Sequence, residues 1–154
     1  MTNDRIDYMD LALAEAEAAA GRGEVPVGCV IVDAVSGSVL AAAGNETEAR
    51  ADPTAHAEML ALRAAGRAKD SPRLVDCDLY VTLEPCPMCA QAISFFRIRR
   101  IYFGAYDPKG GGVEHGPRIF GQPTCHHRPE VYGGISEQAA GALLRDFFRN
   151  RRDR

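Results

Sequence analysis

Three side chains in this sequence have the identity and spacing of metal ligands, and one carboxylate stands beside them. His56-Ala57-Glu58 is one stretch, and Pro85-Cys86-Pro87-Met88-Cys89 is the other. Cys86 and Cys89, three apart, share a face if they lie on a helix. Pro85 or Pro87 suits the first turn of that helix, where no amide donor is missed. A thiol at a helix N-terminus ionises readily, and the thiolate is the form that binds metal. With the His56 imidazole as third ligand the set suits zinc, one ion per chain. Three protein ligands leave a position for water, which marks a catalytic site rather than a structural one. Glu58 lies about 200° around an ideal helix from His56, so the two converge only at an open first turn. Asp52-Pro53-Thr54 supplies the entry, with Thr54 as candidate cap. Placed there, Glu58 can carry protons between water and a substrate nitrogen.

The flanking elements must hold these groups in place. Apolar residues at helical spacing (Ile6, Met9, Leu13, then Ala16 or Ala20) predict a helix over about 4–20, stopped by Gly21 and Gly23. The apolar, β-branched run 25–32 predicts a strand buried on both faces. A turn around Gly37 returns the chain as a second strand over 39–43, making a hairpin. Gly44-Asn45 ends it, and by spacing alone Asn45 is a turn residue tolerant of positive φ. A helix follows over about 54–68. The strand 78–83 leads straight to Cys86, and Met88, Ala92, Ile93 and Phe96 give the next helix an apolar face. Residues 100–105 form the fourth strand; strand, helix, strand implies parallel pairing with right-handed crossovers. Residues 107–129 read as a long loop. Its Gly110-Gly111-Gly112 lacks the Gly-Lys-Ser/Thr of a phosphate loop. Cys125-His126-His127 are adjacent, a poor arrangement for one ion, and read as loop packing. Val131-Tyr132 predicts a short fifth strand. Ser136 then caps a last helix whose Ala140, Leu143, Leu144 and Phe147 face inward.

At 154 residues, 46% hydrophobic and 25% charged, the chain suits a single soluble domain, residues 1–154. No apolar run reaches membrane-spanning length, and three Asp with one Arg in the first ten residues do not make a targeting peptide, so cytoplasmic location is expected. Five cysteines, two of them already placed on metal, do not form a disulfide framework. A net charge of −3 argues against a dedicated nucleic-acid binder. Residues 145–154, however, hold five Arg and two Asp, a local +3 on a body of −6.

The pair H-A-E … P-C-P-M-C resembles the H-x-E … P-C-x-x-C signature of the zinc nucleobase deaminases. Within them the chain is similar to the bacterial tRNA adenosine deaminase family along nearly its whole length. The likeness is strongest in residues 24–28, 52–58 and 79–86, with Phe103 to Asp107, Asp146-Phe147-Phe148 and Arg151-Arg152 also matching. It implies a three-layer α/β/α cytidine-deaminase-like fold on a five-stranded mixed sheet, and a homodimer. It also implies hydrolysis of adenosine to inosine at the first anticodon position of tRNA: a zinc-activated water attacks C6 while Glu58 moves protons to N1 and to the departing amine. By the same resemblance Asn45 and the backbone near Ala57 hold the purine against Val25. Asp107 joins them among the expected substrate contacts. The basic C-terminal end reads either as a solvated helix end or as a phosphate-gripping edge for the anticodon stem-loop, with Arg151 on phosphate and Phe147 and Phe148 as packing or base-stacking surface. Three stretches depart from the family: Pro87, residues 113–117, and His126-His127-Arg128. A deaminase of free guanine or cytosine on the same fold, and a zinc-stabilised binding module without catalysis, are the alternatives. The second leaves Glu58 without use.

Overall fold

The computed structural model describes residues 7–152. The expected start of the first helix near residue 4, and Arg154, lie outside them. Four α-helices and five strands are present among the described residues: α1 Tyr8–Gly21, β1 Gly28–Asp33, β2 Val39–Gly44, α2 Ala57–Lys69, β3 Cys77–Leu83, α3 Pro87–Phe95, β4 Arg100–Ala105, β5 Glu130–Tyr132 and α4 Glu137–Arg152. The strands form one mixed sheet in the order β2-β1-β3-β4-β5. β1 runs antiparallel to both β2 and β3, while β3, β4 and β5 are mutually parallel.

Alternation along the strands sorts the chain into three layers. Cys29, Ile31, Leu79, Val81, Ile101 and Phe103 point to one face and pack with Ala61, Leu62 and Ala65 of α2 and Ala90 and Ile93 of α3. Val30, Val32, Tyr80 and Tyr102 point to the other and meet Met9 and Ala12 of α1. α4 also lies on this second face. A Cβ on Gly104 would sit 2.9 Å from the Ala140 Cβ, so glycine there lets α4 approach the sheet. Tyr80, Tyr102 and Tyr132 are in register on adjacent strands and stack at 4.5 and 5.0 Å, and Tyr8 adds a fourth ring 5.3 Å from Tyr80.

Several boundaries differ from the sequence expectation. The first strand begins at Gly28, and Val25 and Val27 ahead of it line a cavity. Thr54 does not cap α2; its amide and hydroxyl both bind Asp52 at 2.8 and 2.7 Å, and His56 is the N-cap. Ser136 has φ 56°, unlike the extended backbone of an N-cap, and its carbonyl accepts the Ala140 amide at 3.1 Å. On α4 only Ala140 of the expected inward set is buried; Leu143, Leu144 and Phe147 are half-exposed.

Candidate active site

The two helix N-termini that the sequence could only suggest converge in space. His56 is the N-cap of α2, Cys86 is the N-cap of α3, and Pro87 follows at the first helical position. The Cys86 sulfur accepts the Cys89 amide hydrogen at 3.5 Å, so a sulfur replaces the usual capping oxygen. His56 Nδ1 stands 3.6 Å from Cys86 Sγ and 3.5 Å from Cys89 Sγ, and all three ligand atoms lie within 4.8 Å of one another. Zinc bonds of about 2.3 Å to sulfur and about 2.0 Å to nitrogen, at the tetrahedral angle, separate the two atoms by about 3.5 Å. Both nitrogen–sulfur edges therefore already match those of a zinc tetrahedron. The Cys86 thiol is drawn down to about 4, first by the hydrogen bond from Cys89 and also by His56, toward the metal-binding thiolate.

Glu58, on the first turn of α2, is 4% exposed. Its carboxyl lies beside Cys89, Cys86 and His56, and burial pushes it up to about 7. A carboxyl poised there can take and give protons near neutrality. It opens into a cavity of about 320 Å³ lined also by Val25, Val27, Asn45, Thr47, Leu83, Glu84, Asp107 and Gly110, within the size range of small-molecule sites.

The chain matches the cytidine and deoxycytidylate deaminase zinc-binding region over residues 2–105. It is 55% identical to the tRNA-specific adenosine deaminase of Agrobacterium fabrum over 149 residues, 97% of each chain. The chain belongs to the tRNA-specific adenosine deaminase family. The corresponding Bacillus subtilis deaminase is 42% identical over 152 residues, 99% of this chain and 92% of its own. A solved tRNA:A34 deaminase, studied for A-to-I editing at the wobble position of transfer RNA, superimposes with TM-score 0.86 at 55% identity, covering 89% of this chain and 98% of its own. A guanine deaminase from Nitrosomonas europaea is more distant, with TM-score 0.73 and 26% identity over 90% of this chain and 81% of its own.

Of the residues singled out by sequence, this deaminase gathers His56, Glu58, Cys86, Val25, Asn45 and Asp107 around one cavity, with Cys89 behind it. Asn45 is not at positive φ. Its side chain works instead: Oδ1 accepts the Ala57 amide at 2.8 Å and Nδ2 donates to the Val25 carbonyl at 3.2 Å. Asn45 and Ala57, both expected on the purine, thus hold each other, leaving one Nδ2 hydrogen and one Oδ1 lone pair for a ligand. Phe147 and Arg151 lie elsewhere, in a groove of about 270 Å³ with Ala20, Gly23, Leu143, Asp146 and Asn150. Arg151 donates to the Gly23 carbonyl at 2.7 Å and sits 4.6 Å above the Phe147 ring. Phe148 is 44% exposed beside them.

Two buried carboxylates escaped the sequence reading. Glu24 accepts the amides of Glu48 and Ala49 and the Thr47 hydroxyl, and fixes the loop bearing Thr47. Glu84 does the same for the loop after β4. Both sat in stretches already matched to the family, but their partners are backbone amides more than twenty residues away, which carry no sequence signal. Cys125-His126-His127 do not form a metal cluster with other described residues. The Cys125 sulfur meets Ser94 Oγ at 3.4 Å and the His127 carbonyl at 3.2 Å.

Proposed function

We propose that this chain deaminates adenosine to inosine at the first anticodon position of tRNA, as a cytoplasmic homodimer with one zinc per subunit. The observation that carries the reading is a three-ligand His-Cys-Cys cluster with the buried Glu58 carboxyl beside it, facing a base-sized cavity. When bound by His56, Cys86 and Cys89, zinc supplies Lewis acidity that brings the ionisation of water toward neutral pH. Glu58 takes a proton from water as its oxygen adds to C6 and delivers that proton to adenine N1; it then takes the hydroxyl proton of the C6 adduct and passes it to the amine, so that C6=O forms as the C6–N bond breaks and ammonia departs. Asn45 offers its remaining donor and acceptor to the purine, and Val25 and Leu83 exclude water around it. Asp107 lines the same cavity.

The basic end of α4 supports an RNA substrate over a free base. Its groove reaches the cavity through a short segment, since Arg151 binds Gly23 while Val25 lines the base site. Phe148 offers an exposed ring for stacking. Phe95, 68% exposed at the end of α3, supports a subunit contact. No helix among the described residues is long and apolar enough to cross a membrane.

The test is incubation of the zinc-loaded protein with an anticodon stem-loop carrying adenosine at the first anticodon position and, separately, with guanine and cytosine. Inosine should form in the first arm. Faster turnover of guanine or cytosine would replace this reading with the free-base one. Deleting residues 149–154 should raise KM and flatten the salt dependence, because fewer phosphate contacts release fewer counterions. Light scattering at micromolar concentration should show a dimer.

A further inference from the structure

Glu84 accepts five hydrogen bonds on two oxygens. Oε1 receives the Asp107 amide at 3.0 Å and the His115 ring Nδ1 at 2.8 Å. Oε2 receives the amides of Val113, Glu114 and His115 at 3.2, 2.9 and 3.2 Å. A carboxylate has about four lone-pair sites, so this one is saturated. Its side chain is fully buried, and among these donors the His115 ring is the only side chain. Because the carboxylate only accepts, Nδ1 carries the hydrogen.

The five donors come from both ends of one loop. Asp107 enters it from β4, and His115 closes it. Asp107 and the His115 ring converge on the same oxygen, so one atom fastens entry and exit together. Between them the chain lies against its anchor: a Cβ on Gly111 would collide with Glu84 Oε2, and one on Gly112 would sit 2.6 Å from Pro87. Gly112 also donates to the Pro85 carbonyl at 2.8 Å. The triple glycine is therefore a close-packing device for this loop. Asp107, Gly110 and Glu84 itself line the cavity that holds Glu58. The Tyr106 ring stands edge-on to His115, with centroids 6.2 Å apart, and limits the turning of the imidazole.

We infer that Glu84 and His115 form a clasp that fixes the Asp107 wall of the base cavity, making His115 a positioning residue that sets affinity for the RNA. The inference rests on the substrate reading above. Loosening the clasp lowers the fraction of molecules with the wall in place, and apparent affinity falls by that fraction. Turnover of the bound complex depends on Glu58 and is unchanged.

The experiment compares His115→Ala and His115→Asn in the zinc-loaded full chain, with the anticodon stem-loop as probe. Asparagine places its Nδ2 donor where the imidazole carries Nδ1. His115→Ala should raise KM about tenfold, the scale of one hydrogen bond to a charged acceptor, with kcat within about twofold. His115→Asn should restore KM. An alanine variant with wild-type KM overturns the inference, and so does an asparagine variant no better than alanine. Hydrogen exchange of the amides of residues 113–115, read without substrate, decides the clasp separately. It should be fast in His115→Ala and slow in the wild type and His115→Asn; slow exchange in the alanine variant refutes the clasp. If the wild type leaves the stem-loop unedited, the substrate reading and the claim on RNA affinity fall, while the exchange result still decides the clasp.

Discussion

Asn45 Oδ1 accepts the amide hydrogen of Ala57 at 2.8 Å, and so ties the loop after β2 to the first turn of α2, between His56 and Glu58. The same side chain reaches back to Val25. A wall of the cavity, the candidate ligand His56 and the Glu58 carboxyl are thus held through one amide group. Asn45→Ala leaves the buried Ala57 donor without an acceptor, at a cost of about 1–3 kcal/mol. The expected result is a Tm lower by several degrees together with reduced activity. Thermal melts check it; an alanine variant as stable as the wild type excludes the tie.

The metal prediction contrasts three cysteines. Cys86→Ala and Cys89→Ala should each lose zinc, because only two of the three matched ligand atoms remain. Cys125→Ala loses its contacts with Ser94 and His127 but should keep about one zinc per chain. Metal analysis of the three purified variants separates the roles. Full occupancy in Cys86→Ala would show that the ligands are others.

Glu58→Gln keeps the size of the side chain and removes its proton chemistry. Zinc content and fold should be retained while kcat falls by about 10² to 10⁴, the range of general acid–base groups. One residue serving several proton transfers places the loss toward the upper end. A variant within tenfold of wild type would mean that another group moves the proton.

Glu24 predicts an acid limb in the stability curve. Burial raises its carboxyl, but the amides of Glu48 and Ala49, the Thr47 hydroxyl and nearby Arg22 outweigh burial and hold it below the usual 4.5. A carboxyl depressed in the folded state contributes stability above its unfolded value and loses it as pH falls through the folded one. The contribution should therefore be complete above about pH 5 and fade below about pH 4.5. Glu24→Gln should lower Tm at pH 7 and converge on the wild type as pH falls through the folded-state value of Glu24. A constant difference between the two curves across that range would remove Glu24 as the cause.

The strands and helices were legible where periodicity was strong. β3 and β4 fall within a residue of expectation, and the spacing of Cys86, Cys89 and His56 pointed to their meeting. The start of α2 was misread because Thr54 has the chemistry of a cap, yet its hydroxyl is taken locally by Asp52. His56 takes the cap position without using its side chain for capping, since the ring faces the two sulfurs. Asn45 read as a turn residue because its partner Ala57 acts through a backbone amide, which every residue but proline has. Glu84 and the glycines of residues 110–112 were opaque for the same reason. Their relation is a close approach of backbone to carboxylate, and neither composition nor period encodes it.

The tyrosine column across β3, β4 and β5 gives this protein an optical signature. The chain has no tryptophan, and four of its five tyrosines, Tyr8, Tyr80, Tyr102 and Tyr132, lie in one stack. Rings held 4.5 Å apart and 6° from coplanar couple their electronic transitions, so the near-ultraviolet circular dichroism should carry a band from the tyrosines on the three parallel strands. Loss of that band with the far-ultraviolet spectrum intact would report strands slipping past one another before the helices melt.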